Sequence, residues 1–103
     1  MNPTELRRAA ERVGVEISDE AADGSRLAYT VAFLPGFGWG PLDSEPARSH
    51  IAERLVAMVR ERRLSWQLGG ALIDVNPNLG VTEQITAATA EQRITAALAV
   101  LEG

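Results

Sequence analysis

Cysteine is absent from this 103-residue chain, lysine is absent too, and histidine occurs once. Without cysteine there is no thiol nucleophile, no disulfide framework and no thiolate metal site. A single imidazole argues against a His-rich zinc centre, and no metal or other cofactor is expected. Long apolar runs are missing as well. No window approaches the roughly 20 apolar residues of a membrane span. The opening MNPTELRRAAERVGVE is charged throughout and holds no apolar stretch of signal-peptide length. The expectation is a soluble, cytoplasmic protein with no membrane partner.

An excess of positive charge is also lacking. Ten basic residues, all arginine, face fourteen acidic ones, for a net charge of −4. A phosphate-binding surface needs clustered cations. The nearest approach is Arg60, Arg62 and Arg63, interrupted by Glu61, which reads as a solvated helix end placed favourably against the helix dipole. No nucleic-acid partner is expected.

What the chain does have is a core. Apolar residues make up 46%, and at this length folding removes about two-thirds of the unfolded surface from water. One domain spanning 1–103 is expected. Residues 2–13 predict a helix, with Asn2 as cap, Pro3 in its first position and Leu6, Ala9, Ala10 and Val13 as its stripe. Gly14 then suits a left-handed stop. Val15 to Ile17 predicts a brief strand, and the polar stretch Ser18 to Ser25 a turn or loop around Asp23-Gly24. Arg26 to Leu34 is the clearest strand. Leu27, Tyr29, Val31 and Phe33 alternate with Ala28, Thr30, Ala32 and Leu34, a pattern that suggests a strand covered on both faces.

The following PGFGWGP, with three glycines and two prolines, predicts an irregular loop. Asp43 or Ser44 caps a long helix, Glu45 to Arg63, carrying Ala47, Ile51, Leu55, Met58 and Val59 on one face. Leu64 to Val75 reads as a hairpin turning at Gly69-Gly70, with Trp66, Leu68, Ala71, Ile73 and Val75 on its core face. Val81 to Thr86 alternates weakly, as a further strand would. Thr89 and Gln92 form a capping box for a last helix, Ala90 to Glu102, packed through Ile94, Ala97, Leu98 and Leu101. The order defines an α+β domain: a mostly antiparallel sheet of three to five strands, with the long helix and both terminal helices packed on it.

Two stretches, SEPARSHIAERLVAMVRERRLSWQL (44–68) and ATAEQRITAALAVLE (88–102), give the chain a resemblance to a known family. Together they resemble the small phage and prophage proteins of the phage ABA sandwich domain family. Thr89 would be the cap, Ile94 a core position, and Ala96-Ala97-Leu98 the helix pattern. The segment from Arg26 to Gly40 departs from that family. The resemblance implies helix–sheet–helix layering and a phage-derived origin, and it carries over no catalytic residue.

Chemistry is sparse. His50 has Glu53 and Arg54 one turn on, an arrangement that commonly gives a surface ion pair rather than a general base. Asp43, Ser49 and His50 are triad types, but adjacent helix residues point about 100° apart. Asp74 is either a tuned acid or a hydrogen-bond acceptor for the turn that follows. Gly36-x-Gly38-x-Gly40 precedes a helix but lacks the dinucleotide spacing.

Phe37 and Trp39, set among glycines, are the most distinctive pair. They either fold back on the core or mark a contact surface. The leading expectation is a non-enzymatic protein acting through contact, with itself as a homo-oligomer or with another protein. The alternative is a small-molecule binder or minor enzyme, its pocket between helix and sheet near His50, Trp66 and Asp74.

Overall fold

The computed structural model describes residues 2–72 and 81–103. Among these, five helices and three strands follow one another: α1 (Pro3–Arg12), β1 (Ile17–Glu20), β2 (Arg26–Leu34), β3 (Gly38–Pro41), α2 (Glu45–Glu61), α3 (Ser65–Ala71), α4 (Val81–Ala87) and α5 (Ala90–Glu102). The fold class is α+β, as the element pattern predicts. No helix among the described residues is long and apolar enough to cross a membrane. The chain divides into two units, Met1–Ile51 and Ala52–Gly103, and the boundary falls within α2.

The first unit is built on an antiparallel sheet of order β1-β2-β3. Asn2 caps α1 by accepting the Thr4 N–H at 2.8 Å, and Gly14 supplies the left-handed stop with φ 76°. β1 lies a little beyond the expected strand: Ile17 pairs with Ala32 and Ser18 with Val31, with an irregularity before Glu20. The Asp23-Gly24 turn closes this hairpin. Asp23 accepts from the N–H and hydroxyl of Ser25, and Gly24 takes φ 84°.

The segment expected to be an irregular loop is instead a second hairpin. Leu34 pairs with Gly38, Phe33 with Trp39, Ala32 with Gly40 and Val31 with Pro41. The Phe37 N–H donates to the Leu34 carbonyl at 3.0 Å, with Pro35 and Gly36 (φ 85°) in the two middle positions. That is the residue pattern of a type II turn. The prolines and glycines that seem to exclude structure here shape the turn and the strand's edge.

β2 is not covered on both faces. Ala32 and Leu34 are buried while Phe33 is 40% exposed and Tyr29 57% exposed. On the inner face, Arg7 of α1 reaches Asp19 of β1 through two bonds of 3.0 and 3.3 Å, and the Thr30 hydroxyl of β2 donates to the same carboxylate. One helix and two strands therefore converge on Asp19. The Arg7 guanidinium first, and then the Thr30 hydroxyl, hold its carboxyl below the usual range.

The second unit corrects two expectations. The hairpin expected from Leu64 to Val75, turning at Gly69-Gly70, does not form among the described residues; Ser65–Ala71 is the helix α3, and residues 73–75 lie outside the described residues. Leu64, Leu68 and Leu72 recur every four residues, and Leu68 and Leu72 are buried. That period belongs to a helix. Trp66, expected in the core, falls off this stripe and is 79% exposed. Likewise Val81–Ala87 is α4 rather than a strand. Ile85 of α4 is buried, and so is Ala88 just past its end. The Arg93 side chain of α5 donates to the Ala88 and Thr86 carbonyls at 3.0 and 3.3 Å and so satisfies the end of α4. The capping box of α5 is present as expected, with Ile94, Ala97 and Leu98 buried beneath it.

Two measurements check this architecture. Gly70 lies near the end of α3 with open space around a would-be Cβ. Gly70→Ala is expected to stabilise the protein by about 0.5–1 kcal/mol in chemical denaturation; in a Gly-Gly hairpin turn it would destabilise. Asp19 titrates lower in the folded chain than in the unfolded one. Its contribution is complete above the ordinary carboxylate pKa and is lost as pH falls through the lowered folded value. Denaturation midpoints should therefore drop on acidification below about pH 4, and Asp19→Asn should lower the neutral midpoint and flatten that acid limb.

Candidate functional site

The pleat of β2 sets the site. Odd-numbered residues from Val31 to Phe33 project away from the face that carries Ala32 and Leu34. The Leu42 N–H bonds the Thr30 carbonyl at 2.9 Å. Alternation along the ladder then makes Phe33–Trp39 and Val31–Pro41 non-hydrogen-bonded pairs, in which side chains approach most closely. The Phe33 and Trp39 rings meet edge to face, with centroids 5.5 Å apart and planes at 63°. This geometry suits the aromatic quadrupoles. The pair is nevertheless on the surface: Trp39 is 51% exposed, and Phe37 at the turn is 79% exposed.

Beside Trp39 lies a groove of about 610 Å³. Leu27 and Val31 of β2 form its floor and Trp39 one wall, while Ser18 and Glu20 of β1 and the preceding Glu16 line the other side. Ser18 stands opposite Val31, and its hydroxyl bonds the N–H and carbonyl of Glu20 at 3.1 and 3.0 Å. This arrangement anchors Glu20 at the rim. Neither Glu16 nor Glu20 pairs with a cation among the described residues.

A second hollow, of about 470 Å³, lies between the start of α1 and the sheet, bordered by Leu6, Arg7, Tyr29, Thr30, Leu42 and Asp43.

Both outer strands are short, four residues each, which limits edge-to-edge pairing. Pro41 sits where its missing N–H faces away from β2, so the β3 edge is further blunted. The outward face, rather than an edge, carries the exposed Phe33 and Trp39.

Of the residues singled out from the sequence, Phe37 and Trp39 stand together on one hairpin and are exposed. The pocket set is not assembled in the same way. His50 is half-buried on α2 and lines neither hollow. Trp66 is exposed on α3 in the other unit, and Asp74 lies outside the described residues. Asp43 lies 3.7 Å from Arg48 across an ion contact. Glu83 is exposed on α4. The glycines weighed as a phosphate loop belong to β3 and its turn.

Sequence reasoning missed Glu16, Glu20 and the joining of Phe33 to Trp39. The alternation Glu16-x-Ser18-x-Glu20 was visible, but using it required the register with β2. Compared with family models, with curated proteins and with solved structures, the chain matches none.

The hairpin that presents the aromatics depends on specific glycines. Gly36→Ala forces a side chain into φ 85° and is expected to cost about 1 kcal/mol or more. Gly40→Ala meets open space at an ordinary φ and should change stability by less than about 0.5 kcal/mol. Thermal melts of the two variants read the difference.

Proposed function

We propose that the protein is non-enzymatic and acts through protein–protein contact, with the outward sheet face as its contact surface. The observation that carries this reading is the solvent-exposed, mutually packed pair Phe33–Trp39, beside an exposed Phe37 on the same hairpin. Large aromatic side chains on a rigid strand pair present apolar area at little ordering cost, and such residues dominate binding energy in interfaces. A cytoplasmic setting, self-association as a homo-oligomer and an accessory role of phage-derived origin belong to the same reading. The last of these rests on the resemblance of residues 44–68 and 88–102 to the phage ABA sandwich domain family, although the described residues from 44 to 102 hold helices and none of the strands that the resemblance implies.

A second reading, small-molecule binding, is favoured by the hollow between α1 and the sheet. Its polar lining includes Arg7, Thr30 and Asp43 around Leu6 and Leu42. Arg7 and Thr30 are already engaged with Asp19, which leaves less of that lining to recognise a ligand.

Native mass spectrometry of wild type and Trp39→Ala tests the contact reading. The wild type is expected to form an assembly, with itself or with a co-purified protein, that Trp39→Ala weakens by about 2 kcal/mol or more. Identical behaviour of the two, both monomeric and without partners, counts against it. A defined small-molecule mass on both would favour the second reading.

A further inference from the structure

We infer that the groove beside Trp39 is a docking site for an arginine-bearing segment of a partner protein. This rests on the contact reading above and adds the chemistry of what is bound. The groove has two unlike walls. Glu16 and Glu20 line it on one side and Trp39 of β3 on the other, with Val31 and Leu27 of the central strand between them. A guanidinium fits all three elements together. Its plane stacks on indole, its paired N–H groups match a carboxylate, and its methylene stem lies along an apolar floor.

Charge complementarity selects this occupant over others. Neither carboxylate forms an ion pair among the described residues, although Arg26 stands across the ladder from Glu20 and other cations lie elsewhere in the unit. Arg7 is held by Asp19, and Arg48 faces Asp43. The chain as a whole carries net charge −4, so an acidic partner would be repelled and a basic one steered in. Phe33 does not line the groove but packs against the indole, so the wall stands ready before binding. Lysine satisfies the carboxylates but not the flat stacking surface, which distinguishes arginine as the preferred cation.

The test uses the full chain with Trp66→Phe, a change at an exposed position that leaves Trp39 as the only tryptophan. Short peptides of alternating arginine and valine, lysine and valine, and glutamate and valine are titrated while Trp39 emission is read. Far-UV circular dichroism and melting confirm that each variant is folded. The expected result is saturable binding of the arginine peptide, tighter than the lysine peptide and weakened by salt. Affinity should fall by about tenfold in Glu16→Gln/Glu20→Gln.

The inference is overturned if the arginine peptide does not bind, if the double variant binds it as well as the parent, or if the glutamate peptide binds equally. It is also overturned if the wild type self-associates and the double variant abolishes that association, because the occupant is then a second copy. Failure of the peptide with a Trp39-dependent assembly still present removes only this inference. Absence of any Trp39-dependent assembly removes the contact reading itself.

Discussion

Among the described strands only β2 hydrogen-bonds along both of its edges, and the first unit is organised around that constraint. β1 and β3 are each held by β2 alone. The pleat of β2 therefore decides which side chains of all three strands share a face. Ala32 and Leu34 on the inner side are buried, and α1 is tied to that side through Arg7, Asp19 and Thr30. Once this face is committed to the core, the opposite one must carry Val31, Phe33 and Trp39 outward. The exposed aromatics follow from the register, since a one-residue slip would exchange the two faces.

The second unit obeys a different period. Leu64, Leu68 and Leu72 form one stripe, and Ile85 with Ala88 another, and α3 contacts both α4 and α5. The short length of α3 and α4 means that neither would persist alone, since isolated helices of this size are marginal in water. Packing of α3 with α4 and α5 supplies the stability that local propensity does not. The two glycines of α3 illustrate the balance: Gly69 is buried and Gly70 exposed, so the segment remains helical despite two poor helix formers.

Much of the fold was legible where a signal was local. The Asn2 and Thr89 caps, the Gly14 stop, the nine-residue β2 and the stripe of α2 each depend on neighbours within a turn or two. The misreadings occurred where two periods compete over few residues. Trp66, Leu68 and Ala71 admit an alternating reading through Gly69-Gly70, and only the four-residue recurrence of leucine distinguishes the helix. Prolines and glycines in 35–41 suggested a loop, although Pro35-Gly36 is a turn signal and Pro41 is compatible with an edge strand. The candidate site was half legible. Phe37 and Trp39 drew attention as aromatics among glycines. Phe33 belongs to a pattern that suggests cover on both faces, and the alternation of Glu16, Ser18 and Glu20 gains meaning only from the register with β2.

The sequence by itself determined the α+β class, the helix ends and the central strand, because caps, turns and apolar periods act over a few residues. It also excluded thiol chemistry, since the chain has no cysteine. Only the tertiary structure decided which face of β2 meets solvent, which aromatic rings touch, and that Glu16 and Glu20 line a groove together with Trp39 of β3. Those relations depend on strand register, and register arises when separate segments pair and bury a common face. No residue carries that information without its partner across the ladder.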